Sequence, residues 1–189
     1  DQPGIDPALI AAVSFSGHMM GCLCVDRQGQ PLRPHILWAD QRAQAQAAAI
    51  HEKMTPERFY HITGHRTSAS YGLQKLLWIR DHEPDIFAAT YKMLNAKDWL
   101  VFRLTGQMLT EYSDATGTTA LDLNRLEWSD EIIAAAGIDG DKLPRLVPST
   151  HIAGGVTAEA AAATGLLPGT PVVMGGGDGL CATVGAGCV

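Results

Sequence analysis

The chain has no basic patch or stripe: 14 Lys and Arg stand against 20 Asp and Glu, for a formal charge of −6. That balance excludes a nucleic-acid partner. It also lacks a long hydrophobic run. The longest apolar stretch, Ala8 to Val25, is broken by Ser14, Ser16, His18 and glycines, well short of the roughly 20 residues a bilayer needs, so no membrane partner is expected. Cysteine is scarce and has no zinc spacing. Cys22 and Cys24 alternate along an apolar run, and Cys181 and Cys188 lie near the other end. They read as small buried apolar residues in a reducing, cytoplasmic setting rather than as metal ligands. The seven scattered His residues give no metal pattern either, and no residue is assigned to a metal. Tandem repeats, low-complexity tracts and linkers are missing too, so no internal domain boundary is drawn. The first residue is Asp1 rather than Met, and DQPGIDP has none of the order of a signal peptide. The 189 residues are expected to be part of a longer chain.

With 46% hydrophobic residues a packed core is expected. Alternation marks strands at Ile10–Ser16 and Gly21–Asp26, read as a pair joined by a turn at Gly17, and Ile36–Trp38 reads as a third. The Ala- and Gln-rich run from Gln41 to Ile50 has high helix propensity. Other helices are marked by their ends. Thr55-Pro56 opens one that Gly64 closes, Glu83-Pro84 interrupts the apolar face around Leu73, Leu76 and Leu77, and Lys97–Thr105 runs into Gly106. Ser129 and Gly137, and Thr157 and Gly165, bracket two more.

The last twenty residues hold the strongest chemical signal. The apolar strand Pro171–Met174 runs directly into Gly175, Gly176, Gly177, Asp178 and Gly179, and then into a helix. Glycines let backbone approach a phosphate closely, and the start of a helix favours an anion. Asp178 has three readings. It caps the helix and nothing more; or it stands within a loose G-x-G-x-x-A dinucleotide fingerprint formed by Gly177, Gly179 and Ala182, where its charge would repel a pyrophosphate; or it accepts the proton of a substrate alcohol while backbone amides hold a transferring phosphate.

Five stretches occur in order that resemble the FGGY carbohydrate kinases, the xylulokinase branch above all. They are Ile36–Arg42 (ILWADQR), Lys75–Phe87 (KLLWIRDHEPDIF), Lys97–Gly106 (KDWLVFRLTG), Ser113–Leu123 (SDATGTTALDL) with Trp128, and Gly175–Gly187 (GGGDGLCATVGAG). The resemblance spans nearly the whole chain. It implies an α/β fold of the RNase H-like, actin-like ATPase kind, a mixed sheet flanked by helices. Residues 1–189 would form most of an N-terminal domain, without its first strands and without the nucleotide-binding C-terminal domain.

The function implied is ATP-dependent phosphorylation of a small sugar, a ketose such as xylulose or a polyol, using ATP and Mg²⁺. A homodimer is one expected assembly. Asp178 matches the catalytic base, Gly175, Gly176 and Gly177 would sit by the transferring phosphate, and Gly17–Gly21 (GHMMG) resembles the family's GQMHG sugar segment. Met19 and Met20 thus fall on sugar-contacting positions, although both could simply pack at a strand end. Met20 replaces an imidazole that could donate to a sugar hydroxyl, so polyol orientation is expected to differ. Asp40 is a further substrate-binding candidate, or a partner for Arg42. The alternative reading is a sugar-binding or sensor protein that keeps the fold without catalysis. The family's Asp-x-Gly-Thr phosphate turn does not occur at the start of these residues, so the 189 residues alone are expected to be inactive.

Overall fold

The computed structural model describes residues 4–188. In chain order its elements are β1 (Ser16–Gly17), β2 (Leu23–Val25), α1 (Gln44–His51), α2 (Pro56–Thr63), α3 (Gly72–His82), α4 (Pro84–Ala89), β3 (Lys92–Leu94) and α5 (Ala96–Thr105). There follow β4 (Leu109–Glu111), α6 (Tyr112–Thr116), β5 (Leu121–Asp122), β6 (Glu127–Trp128), α7 (Asp130–Ala136), β7 (Arg145–Val147), β8 (Ile152–Gly155), α8 (Ala158–Thr164), β9 (Pro171–Val173), β10 (Gly176–Gly177) and α9 (Asp178–Gly185). The α/β class with mixed pairing is as expected. β1–β10 and β4–β7 are parallel; β2–β3, β5–β6 and β8–β9 are antiparallel.

Helix ends follow the sequence signals. The hydroxyls of Thr55, Ser129 and Thr157 accept from Arg58, Ile132 and Ala160 N–H at 3.2, 3.3 and 3.2 Å. Gly64, Gly106, Gly137 and Gly165 each follow a helix in the left-handed conformation, which is the usual glycine stop. Pro84 begins α4 directly after α3, where the sequence breaks.

Strand pairing departs from the sequence reading. Residues 10–17 do not pair with 21–26. Instead Val13 bridges Val172 and β1 runs beside β10, while β2 lies between β3 and the segment 31–36. Trp38 and Leu37 are exposed, leaving Ile36 alone in a bridge to Cys22. The reason is burial. Cys22, Cys24 and Val25 are wholly buried, a condition that one hairpin neighbour could not meet.

The core has three parts. The largest gathers Phe59, Leu73, Leu76, Ile79, Met93 and Ile132 between α2, α3, β3 and α7. A second joins Val101, Leu109, Val147, Val172 and Met174, and holds the base of the glycine turn. Leu23, Val25 and Leu94 form a small third cluster. None of the side chains of α9 is buried, and Leu180 and Val184 are 54% and 62% exposed.

Candidate active site

The glycine turn is built by close contact. Gly175 has φ +71°, and a Cβ there would lie 1.9 Å from the Phe15 carbonyl oxygen. No other residue fits against that strand. A Cβ on Gly177 would lie 2.5 Å from Met19 Cγ and Sδ, and one on Gly117 would lie 3.0 Å from Met20 N. Bare glycine backbone therefore lets the segments 17–21, 113–118 and 175–179 converge.

All three glycine amides on the turn are engaged within the protein. Gly175 N donates to Ser149 O (3.0 Å), Gly176 N to Phe15 O (3.0 Å) and Gly177 N to Ser113 Oγ (2.8 Å). Their part within the protein is close approach, and the turn leads directly into the start of α9, an end that favours an anion.

Gly177 occupies the N-cap position of α9 and Asp178 is its first residue, so the simple capping role falls to the glycine. The Asp178 side chain is exposed. Its Oδ1 accepts from Gly179 N at 2.8 Å, and among the described residues no donor meets Oδ2. The surface here is open. A cavity of about 510 Å³, lined by His51, Pro56, Tyr60 and Arg66, lies elsewhere.

Met19 rests on Gly177, beside Asp178. Met20 is in the left-handed region at φ 63°, and its carbonyl accepts from Lys75 Nζ at 2.8 Å, an ammonium that also donates to Ser70 O. Lys75 is fully buried, and burial pulls its pKa down to about 8. Asp40 forms a 2.7 Å ion pair with Arg42, whose guanidinium lies over Trp78. The hydrogen bond from Arg42 holds the Asp40 carboxyl below its usual range, with a smaller contribution from Lys75. Asp40 is thus the partner of Arg42, as one of its two readings expects. The His18 ring lies 5.1 Å from the ring of His35 at a tilt of 40°, and the His35 pKa falls to about 4 through burial first and His18 second.

The sequence reading passed over a buried charge cluster behind the turn. Lys97, Asp98, Glu111 and Asp114 are all fully buried, with Lys97 Nζ 3.3, 3.7 and 3.0 Å from the three carboxylates in turn. Burial opposes the charge on Glu111, but donors from Ser113 and Ser149 outweigh it and hold its carboxyl below the usual range. Asp114 lacks such donors. Burial, then the charge of Asp98, raises it to about 8, and Asp98 is raised by burial as well. At neutral pH Asp114 therefore carries a proton, which relieves an excess of buried negative charge. The signal was present in the KDWL and SDATGT stretches, which supply three of the four residues.

A mixed α/β domain that aims an open carboxylate from a glycine turn, beside a segment carrying two methionines, matches the resemblance in its residues. The chain belongs to the FGGY family of carbohydrate kinases, whose N-terminal domain matches residues 1–185. It is 42% identical to a xylulose kinase of Bacillus subtilis over 178 residues, 94% of this chain and 36% of that protein. A gluconokinase of the same organism is 32% identical over 95% of this chain and 35% of its own length. The crystal structure of a xylulose kinase from Rhodospirillum rubrum superposes with a TM-score of 0.90 at 30% identity, covering 95% of this chain and 37% of the other. The chain thus spans little more than a third of these relatives.

Proposed function

We propose that the protein carrying this chain transfers the γ-phosphoryl group of ATP to a hydroxyl of a small sugar, a ketose such as xylulose or a related polyol, with Asp178 as the base. The observation that carries this is the Asp178 side chain, exposed at the start of α9 with one oxygen held by Gly179 and the other open. In this reading the open oxygen accepts the hydrogen of the sugar hydroxyl. The hydroxyl oxygen bonds to the γ-phosphorus, the bond to the ADP oxygen breaks, and the proton passes to the carboxylate. Met19, Met20 and Asp40 would line the sugar side, and the first-turn amides of α9 would face the phosphate.

The residues present suit magnesium ATP in one respect: Asp178 offers a hard oxygen ligand at an anion-favouring helix end. Among the described residues no group of three or more His, Cys, Asp or Glu could hold a metal ion. Magnesium, when bound, would neutralise charge on the transferring group. Residues 1–189 are read as most of the N-terminal domain of a two-domain kinase. A cytoplasmic setting fits the four free cysteines, two of them buried.

The test is ADP release by the full-length protein with ATP, magnesium and a panel of pentuloses, polyols and gluconate. Activity on one class, abolished in Asp178→Asn with sugar binding retained, is the expected result. Binding without ADP release would instead support the sensor reading. An active Asp178→Asn enzyme would refute the assignment of the base.

A further inference from the structure

We propose that Glu111 is a positioning residue for the loop that presents Asp178, acting through the hydroxyls of Ser113 and Ser149; the inference rests on the reading of Asp178 as base. Glu111 ends β4, and each of its oxygens takes one serine hydroxyl. Ser113 Oγ donates to Oε1 at 2.5 Å and Ser149 Oγ to Oε2 at 2.6 Å. The amides of Ser113 and Asp114 complete the set at 2.8 and 2.9 Å. A carboxylate so surrounded is an acceptor only, and this fixes the direction of both serine bonds.

With its single hydrogen committed to Glu111, Ser113 Oγ has only lone pairs to offer the turn. The Gly177 amide fills that place at 2.8 Å. Ser149 is held by its hydroxyl while its carbonyl accepts from Gly175 N at 3.0 Å. Both ends of the three-glycine turn therefore hang from one buried carboxylate, and the residue after Gly177 is Asp178. Glutamine at 111 would set an NH₂ group against one of the two hydroxyls. Either that serine reverses its hydrogen, which at Ser113 turns it toward the Gly177 N–H, or the bond is lost. A buried charge that only filled space would have no such consequence at the turn.

The experiment uses the full-length kinase and compares Ser113→Ala, Ser113→Thr, Ser149→Ala, Glu111→Gln and Asp178→Asn by steady-state kinetics, with thermal midpoints measured alongside. Ser113→Ala is expected to lower kcat roughly 10- to 100-fold through misplacement of the base, with KM for sugar and ATP within about twofold of wild type. Ser113→Thr, which keeps the hydroxyl, should recover most of that loss. In Glu111→Gln with Ser113→Ala the losses should not multiply, since both act on one connection. Should Glu111→Gln fail to fold, the serine variants decide. Wild-type kcat in Ser113→Ala, or no recovery with threonine, overturns the proposal; if Asp178→Asn is inactive at the same time, the reading of the base survives. An active Asp178→Asn removes the base, and the positioning role falls with it.

Discussion

Gly175→Ala tests the geometry of the turn most directly. The added Cβ meets the Phe15 carbonyl oxygen at 1.9 Å in a backbone conformation, φ +71°, that alanine disfavours. The conformation alone costs about 1–2 kcal/mol. Relieving the clash means moving the turn off Phe15, which weakens the Gly176 N–Phe15 O and Gly175 N–Ser149 O bonds at about 1 kcal/mol each. The expected destabilisation is therefore about 3–4 kcal/mol. At roughly 2–4 °C per kcal/mol for a domain of this size, the unfolding midpoint should fall by about 10 °C. Gly165→Ala provides the control. It has a similar φ of +78° but nothing within 4 Å of its Cβ, so only the conformational cost applies and the midpoint should drop by about 2–8 °C. Differential scanning calorimetry of the two variants separates clash from strain. Equal losses would refute the close packing of Gly175 on Phe15.

Asp114→Asn should flatten the pH dependence of stability between about pH 6.5 and 8. In that window folded Asp114, raised to about 8 by burial, holds a proton that the unfolded chain has lost, so wild-type stability falls as pH rises and levels off above 8. Urea midpoints across the window should slope in wild type and not in the variant; parallel slopes would refute the assignment. Met20→His restores the imidazole of the resembled pattern and should raise kcat/KM for a pentulose about tenfold relative to gluconate, the gain from one added hydrogen bond. An unchanged ratio would mean that Met20 does not face the sugar.

Much of the helical framework was legible because its signals are local. A Thr or Ser cap and a following glycine act within one turn, as Thr55 and Gly64, or Thr157 and Gly165, demonstrate. Strand partners were not legible. The alternation at Ile10–Ser16 marks an extended segment correctly, yet its neighbour is chosen by burial across the chain, and Val13 meets Val172 rather than the residues just beyond Gly17. At the site, the glycines identified the turn and Asp178, but their amides found acceptors in Ser149, Phe15 and Ser113 that no spacing announces. The same holds for the cluster behind them. Lys97 and Glu111 read as ordinary charges in sequence, and only the packing of β4 and α5 shows that both are sealed from water.

The parallel register that sets Ser16 opposite Gly176 and Gly17 opposite Gly177 carries a consequence for the order of events during biosynthesis. Nearly the whole described chain intervenes between the methionine segment and the glycine turn, so joining them requires closure of a very long loop, a late and slow step in folding. A ribosome emitting this polypeptide would release the methionine segment early and leave it without its glycine partner until residues 175–185 emerged. Until then no ligand could stabilise the nascent fold by binding where the two meet.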